Sequence, residues 1–131
     1  MKKVLVPICI LILAGCNKGK QYTQDLTGTW YVYQVSLNTI VQNFPGDSVL
    51  NDSITFTADG RYAAIDFKRK LPVGFDTIRS SGKWQFQDSY GQLVLSDSAN
   101  IPQYTFTIFN LTGNSLELLR GGYDHYLRKH Q

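Results

Sequence analysis

Side chains that could do acid–base, nucleophilic or metal chemistry are sparse in this sequence. His125 and His130 are the only histidines, and Ser81 and Ser98 lie in turn-like surroundings without a nucleophile motif. A metal site needs several histidine, cysteine or carboxylate ligands that converge, and Asp124, next to His125, would face the opposite side of a strand. The sequence therefore predicts no enzymatic activity, no catalytic residue and neither a metal nor a cofactor site.

Aromatic residues are more informative candidates, because they recur at alternating positions and could line a pocket. The phenol hydroxyl groups among them would orient a bound small molecule. The alternative is that the bulky rings simply fill a narrow interior, and the small expected radius favours that alternative. The ligand-binding candidates are Trp30, Tyr62, Trp84, Tyr104, Phe106 and Tyr126, and Phe86 is expected to face the same side.

Two segments between predicted strands carry a second set of candidates. The segment from Asn38 to Asp52 contains apolar residues, so it is either a lid over a ligand or a cover for the apolar end of the domain. The segment from Lys68 to Asp76 begins with three basic residues that could attract an anionic ligand or partner, although such a run is more often a solvated turn. The candidates are Phe44, Lys68, Arg69, Lys70 and Phe75.

Composition indicates that strands, rather than helices, position these side chains. Glu117 is the only glutamate, whereas residues that favour strands, such as tyrosine, phenylalanine, threonine, valine and isoleucine, are plentiful. Apolar and polar residues alternate in several segments, which is typical of strands with one buried face. Eight strands are predicted: Gly28–Leu37, Ser53–Ala58, Arg61–Phe67, Thr77–Gln87, Gln92–Ser96, Gln103–Asn110, Ser115–Arg120 and Tyr123–Lys129.

The lengths of the connections favour an all-β fold, an eight-stranded antiparallel up-and-down barrel. Three connections are short, and one of them, Asp59-Gly60, is a strong signal for a two-residue hairpin. In an antiparallel meander these three short turns fall at one end, and the longer loops fall at the other. Eight strands that close on themselves leave no exposed edge and enclose room for side chains or one small ligand.

The first sixteen residues have the features of an export signal that ends at a cysteine. Lys2 and Lys3 precede the apolar run Val4–Leu13, which is too short to span a bilayer as a helix. The sequence Leu13-Ala14-Gly15-Cys16 resembles the lipobox of bacterial lipoproteins, in which the thiol receives a diacylglycerol before the signal is cleaved. The resemblance implies that residues 1–15 are a signal peptide and that Cys16 is the site of lipid attachment.

A lipid on Cys16 would anchor the mature chain to a membrane of the cell envelope, because several acyl chains attach a protein stably. Asn17 stands where enterobacterial lipoproteins retained at the inner membrane have an aspartate, which favours the outer membrane, facing the periplasm or the cell surface. Loss of the signal lysines brings the formal net charge of +3 close to neutrality and argues against a nucleic-acid partner. Residues 16–25 would form the lipidated cysteine and a polar tether, and residues 26–131 a single domain.

An aspartate followed by serine or threonine and then an apolar residue occurs four times. The pattern resembles an O-glycosylation motif of some Gram-negative envelope proteins, but it is also common turn chemistry before a strand. The sequence leaves both interpretations open. The four segments are Asp47-Ser48-Val49, Asp52-Ser53-Ile54, Asp76-Thr77-Ile78 and Asp97-Ser98-Ala99.

Several motifs in the predicted strands resemble those of lipocalins and bacterial lipocalin-like lipoproteins. They are Gly28-Thr29-Trp30 after Leu26, the hairpin from Ile54 to Tyr62, Ser81-Gly82-Lys83-Trp84 and the closing Tyr126-Leu127-Arg128. In that family the glycine lets the chain turn into the barrel floor and the tryptophan plugs the floor. A late arginine often stacks on this tryptophan, so the resemblance implies that role for Arg128 or, as second choice, Arg120.

The resemblance implies binding, with two functional hypotheses. The first is a membrane-anchored cup that binds a small apolar or amphipathic ligand in the barrel mouth. Because the first strand starts at the closed end, the tether would enter there and the mouth would point away from the membrane. The second is a protein-interaction module, an inhibitor or scaffold of the cell envelope with a filled barrel and an envelope protein as its partner.

Overall fold

Antiparallel strands follow one another along the chain in the predicted order. The computed structural model describes residues 18–43, 52–69 and 75–130, with side chains at all of these except 67–69 and 75–76. A helix, α1 (residues 18–26), precedes the first strand. The strands are β1 (Gly28–Leu37), β2 (Ile40–Asn43), β3 (Ser53–Phe56), β4 (Arg61–Arg69), β5 (Phe75–Gln87), β6 (Gln92–Ser96), β7 (Pro102–Leu111), β8 (Ser115–Arg120) and β9 (Tyr123–Lys129).

Eight of these nine strands close into the predicted antiparallel barrel. Each pairs with the next along the chain, and β9 pairs back onto β1 from Trp30↔Lys129 to Leu37↔Tyr123. The extra strand, β2, forms a hairpin with the second half of β1. It occupies the same edge of β1 that β3 occupies further towards the start of the strand. The sequence placed β2 inside a loop, because its four exposed residues show no alternation.

The predicted strand boundaries are correct for β1, β6, β8 and β9, and β4 and β5 are longer than predicted. Lys68, Arg69 and Phe75 were expected in a loop, and that expectation is wrong. Their backbones belong to the β4–β5 ladder, where Lys68 pairs with Asp76 and Arg69 pairs with Phe75. Backbone hydrogen bonds continue the pairing of β4 and β5 beyond the predicted ends of the strands. Such bonds do not depend on the side-chain pattern from which the boundaries were predicted. The hairpin signalled by Asp59 and Gly60 is present, although its turn covers residues 57–60.

The polar segment before β1 is a helix from residue 18 to residue 26, where a polar tether was expected. The backbone N–H and the hydroxyl of Thr27 both donate to the carbonyl oxygen of Thr23, at 3.0 and 2.7 Å, and so complete the last turn. Tyr22 and Leu26 lie four residues apart and therefore share one face of α1. The sequence signal was missed because a helix this short presents only these two large apolar residues to the barrel.

The α1 helix closes the end of the barrel at which the tight turns lie. Leu26 and Trp30 are fully buried there, and the indole Nε1 of Trp30 donates to the carbonyl oxygen of Leu26 at 2.8 Å. The ring of Tyr22 stacks on Tyr90, in the β5–β6 turn, with 4.9 Å between ring centroids. The same ring meets Phe86 of β5 edge-on at 5.9 Å. The helix therefore acts as the barrel floor, and the opposite end is the mouth.

The hydrophobic core lies directly above this floor. Alternate residues of the strands face inward and fill the lower part of the barrel, as expected for a barrel of this size. The indole of Trp84 packs edge-on against Phe56, with 6.1 Å between ring centroids, and its Nε1 donates to the carbonyl oxygen of Thr57 at 3.0 Å. The buried core comprises Leu26, Trp30, Phe56, Tyr62, Trp84, Leu93, Leu95, Leu116, Leu118 and Leu127.

Candidate ligand-binding site

Above the core the barrel interior opens into a cavity of about 320 Å³. This volume lies near the lower end of the range of small-molecule sites, about 300–1,000 Å³. All eight strands of the closed barrel contribute inward-facing residues to its wall. The interior is therefore not filled by aromatic rings alone, although the narrow radius had favoured that interpretation.

The deep part of the cavity is apolar. Phe56 ends β3 and Leu93 lies near the start of β6, so both are close to the floor, and both are buried. Leu127 and Leu118 form the wall on the β8–β9 side, and Ala64 forms part of the wall on β4. A ligand that reaches this depth exchanges water for aliphatic and aromatic carbon, which favours apolar groups.

Polar side chains surround the cavity towards the mouth. Asp52 precedes β3, and Asp66 lies towards the mouth end of β4. On the other side, Arg120 is the last residue of β8 and His125 lies near the start of β9. The cavity thus has an apolar base and a rim with charged groups, an arrangement that suits an amphipathic molecule.

Two phenol groups lie between these zones. Tyr62 is buried, and burial, together with the nearby Tyr104 and Asp97, raises the pKa of its hydroxyl group. The group therefore stays protonated at neutral pH and can donate a hydrogen bond. Tyr104 lies on β7, above Phe106, and its ring contacts the guanidinium group of Arg120. The phenols can orient the polar part of a ligand that enters from the mouth.

Three of the six predicted ligand-binding residues line this cavity, namely Tyr62, Tyr104 and Phe106. Trp30 and Trp84 are buried beneath it and form the floor and core. The cavity-lining residues that the prediction did not name are chiefly aliphatic or charged. Alternation along β8 could have pointed to Leu118 and Arg120 once Leu116 was assigned to the core.

Tyr126 was expected to face inward, and that expectation is wrong. Its neighbours His125 and Leu127 both line the cavity, so Tyr126, which lies between them, faces outward. The β1 partners of Leu127 and Tyr126 are Val32 and Gln34, and a bulge lies between these two residues. The Tyr126 ring instead lies near that of Tyr33, with 6.4 Å between centroids, and its hydroxyl contacts a carboxylate oxygen of Asp124 at 3.4 Å. Both faces of β9 carry large side chains, so the sequence did not show which face is inside.

The cation that covers the floor tryptophan is a lysine, where the resemblance had implied Arg128 or Arg120. The ammonium group of Lys129 lies 4.9 Å from the ring of Trp30 and donates to the carbonyl oxygen of Asp25 at 2.7 Å. Trp30 pairs with Lys129 across β1 and β9, so both residues face inward. Arg128 therefore faces outward, where its guanidinium carbon lies 4.2 Å from the ring of Tyr33.

The mouth candidates divide between described and undescribed parts of the chain. Phe44 and Lys70 lie outside the described residues, as does Cys16, the predicted site of lipid attachment. For Lys68, Arg69 and Phe75 the structure describes only the backbone, at the mouth ends of β4 and β5. The involvement of these residues in binding stays a prediction.

The mouth also carries exposed apolar side chains, and two of them belong to the segment that was expected to form a lid or a cover for the apolar end of the domain. Ile40 and Val41 of β2 are 71% and 52% exposed, and Ile101, between β6 and β7, is 57% exposed. Tyr123, at the start of β9, is also exposed. The adjacent β-branched residues Ile40 and Val41 favour a strand. Their position within a long predicted loop concealed this signal.

Within the described ranges, no three histidine, cysteine, aspartate or glutamate side chains come together in a way that could hold a metal ion. The same part of the chain contains no helix that is both long and apolar enough to cross a membrane. The cavity wall is built from rings, aliphatic groups and a charged rim.

A closed barrel with a plugged floor and an internal cavity defines a class of small cup-shaped β-barrel proteins. The profile of the lipocalin-like domain matches residues 26–118, and the chain belongs to this family. Both the fold and the family predicted from the sequence are confirmed. No protein with curated function matches the chain at a significant level.

Solved structures from Bacteroides share this fold. A lipocalin-like protein from Bacteroides uniformis has 18% identity and a TM-score of 0.57, over 81% of this chain and 99% of that one. An uncharacterized protein from Bacteroides eggerthii has 14% identity and a TM-score of 0.55, over 80% and 99% of the two chains. A Bacteroides uniformis protein solved by NMR has 16% identity and a TM-score of 0.53, over 83% of this chain and 92% of that one. At these identities the likeness shows the fold alone.

Proposed function

We propose that this protein binds a small apolar or amphipathic ligand, which enters the barrel through the mouth. The observation that carries the proposal is the cavity of about 320 Å³, which the side chains of the core leave open. Its apolar base supplies binding energy through removal of apolar surface from water. Its charged rim and phenol groups supply orientation, and we propose no chemical step there.

We further propose that the domain is held at a membrane of the cell envelope, the outer membrane, by a lipid on Cys16. The resemblance of Leu13-Ala14-Gly15-Cys16 to a lipobox supports this anchor. The chain leads from Cys16 into α1, and α1 lies at the barrel floor. With the lipid attached, the floor would lie on the membrane side and the mouth would be accessible to ligands from the opposite side.

A second candidate function is binding of an envelope protein at the mouth. The exposed side chains of Ile40, Val41 and Ile101 favour it, because apolar groups at a loop-bearing end are typical of interaction surfaces. A ligand inside the barrel requires the cavity, whereas a protein bound to the surface of the mouth does not.

Two neighbouring alanines on β4 provide a matched pair of variants that separates these candidates. Ala64 lines the cavity, whereas Ala63 is exposed on the outer face. Ala64→Phe places a ring in the space the ligand would occupy, and Ala63→Phe adds the same ring to the surface. With N-phenylnaphthylamine as a neutral apolar probe, we expect saturable fluorescence enhancement by the wild-type protein. We expect Ala64→Phe to weaken that binding by about tenfold or more, as a steric block.

The control variant, Ala63→Phe, is expected to bind the probe with wild-type affinity. Circular dichroism of both variants establishes that the barrel is intact. Absence of saturable binding by the wild-type protein would refute the proposal. Equal probe binding by both variants would place the probe on the outer surface and favour the exposed mouth residues as a protein-binding site.

A further inference from the structure

Arg120 ends a stripe of side chains that β8 presents to the barrel interior. Leu116 and Leu118, two and four residues earlier, are buried in the core, with 1% and 4% of their surface exposed. Arg120 continues the same alternation but lies at the mouth, where it lines the upper cavity and is accessible to solvent. A cation therefore stands at the point where the apolar interior meets water.

The guanidinium group of Arg120 is held in position by an aromatic ring. Its central carbon lies 4.5 Å from the ring centroid of Tyr104. Contact with a ring face occupies the flat side of a guanidinium and leaves its N–H donors, which lie in the plane, free to bind a planar or tetrahedral anion. Among the described residues, no carboxylate forms an ion pair with Arg120, whereas Arg61 pairs with Asp59 at 3.5 Å.

The carboxylates of the rim lie on other parts of the barrel wall. Asp66 is on β4, which the strand order places four strands away from β8, on the opposite side of the eight-stranded barrel. Asp66 and Asp52 each take part in interactions of their own. Among the residues that line the cavity, the mouth thus has a cationic wall on β8 and an anionic wall on β4 and just before β3.

His125 lies beside Arg120 on the cationic wall. Its Nδ1 atom is 3.3 Å from the carbonyl oxygen of Leu118, a group that only accepts hydrogen bonds. The proton of the neutral ring therefore lies on Nδ1, which leaves Nε2 as the ring nitrogen available to a ligand. The ring meets Phe106 edge-on, with 6.2 Å between centroids, and so connects the polar rim to the apolar base.

From this arrangement we infer that the ligand is an amphipathic anion. Its carboxylate or phosphate head group binds Arg120, with His125 beside it, and its apolar part lies in the cavity below. The inference rests on the proposed ligand-binding function and adds the charge and the position of the head group. Hydrogen bonds between a guanidinium and an oxyanion are among the stronger polar contacts, which makes Arg120 the main determinant of specificity at this site.

Three probes with one apolar chain and different head groups test the inference by calorimetric titration at constant ionic strength. They are decanoate, decyl phosphate and decanol. We expect the wild-type protein to bind at least one of the two anions about tenfold or more tighter than decanol. Whichever anion binds tighter identifies the head group as carboxylate or phosphate, and either result supports the inference.

Two arginines that both stack on tyrosine rings provide the variants. Arg120→Gln removes the charge inside the mouth, and we expect it to lower the affinities of the anions to about that of decanol, so that the preference for the anion is lost. Arg128→Gln removes a charge from the outer face, where Arg128 stacks on Tyr33 at 4.2 Å. We expect this control to keep the wild-type preference for the anion.

The outcomes distinguish the inference from the proposed function on which it rests. Equal binding of anions and decanol by the wild-type protein overturns the anionic head group and leaves the binding function intact. An equal loss of preference in Arg120→Gln and Arg128→Gln also overturns it, because a general charge effect would then explain the preference. Binding of none of the three probes overturns the inference and contradicts the proposed function as well.

Discussion

Replacement of Trp30 by alanine is expected to lower the free energy of unfolding by about 3–5 kcal/mol, the range for large buried aromatic residues. Trp30 is fully buried at the junction of α1, β1 and β9. Its indole N–H holds the carbonyl oxygen of Leu26, and its ring lies against the ammonium group of Lys129. The variant loses both contacts and leaves a cavity in the floor. Urea unfolding followed by circular dichroism measures the effect.

Two further variants separate packing from hydrogen bonding at this position. Trp30→Phe keeps a ring but removes the N–H donor, and we expect it to cost about 1–3 kcal/mol, because the buried carbonyl oxygen of Leu26 loses its partner. Tyr31→Ala changes the adjacent, half-buried outward residue and is expected to cost about 1 kcal/mol. Equal destabilisation by Trp30→Ala and Tyr31→Ala would contradict the role of Trp30 as the plug of the floor.

Substitution of Gly82 by alanine is expected to destabilise the barrel by about 3 kcal/mol, the upper part of the range for overpacking. A Cβ atom at this position would lie against the backbone carbonyl oxygen of Ser96, far inside van der Waals contact, and 3.0 Å from the ring of Tyr62. A backbone atom has little freedom to move away, so β5 and β6 must separate locally. The urea midpoint of Gly82→Ala measures the cost.

Gly113 provides the matched control for this glycine. It lies in the turn between β7 and β8, and no atom lies within 4 Å of the Cβ that alanine would add. We expect Gly113→Ala to change stability by no more than about 0.5 kcal/mol. A loss for Gly82→Ala as small as that of the control would show that β5 and β6 do not approach each other as closely as described.

The sequence predicted the barrel well because its strands are amphipathic and its turns carry strong local signals. Leu116 and Leu118 lie on either side of the polar Glu117 in β8, and Gly60 adopts a positive φ of 85° in its hairpin. Such signals depend only on residues close together along the chain. They located the strands and their order, and they led to the lipocalin-like family.

What the sequence did not determine was the register between strands distant in the chain. The pairing of Trp30 with Lys129 decides which late cation covers the floor, and a shift of one residue would have placed Arg128 there. The orientation of Tyr126 depends on the same register. These side chains are chemically suited to either face of β9, so periodicity alone gives two equivalent answers.

The helix and the extra strand were missed for a different reason. Tyr22 and Leu26 give α1 only one short apolar face, and most of its stability comes from packing onto the floor rather than from helix propensity. The four residues of β2 are all exposed, so no buried face marks them. Both elements depend on tertiary contacts with the barrel, which the local pattern does not contain.

The cavity exists because some inward-facing positions carry small side chains. The sequence pattern identified only part of these inward-facing positions. Ala64 and Ser80 are small inward residues, and they leave room where larger side chains would have filled the interior. The large rings of Trp30 and Trp84 are concentrated at and just above the floor. This vertical separation of large and small residues becomes visible only when the strands are aligned in three dimensions.

A high-resolution crystal structure of the protein purified from its native source tests most directly the claim that the barrel encloses a ligand site. We predict well-ordered non-protein density in the cavity, in contact with Tyr62 and Phe106, that extends to the guanidinium group of Arg120. A cavity occupied by the protein's own side chains, or by water alone, would contradict the claim.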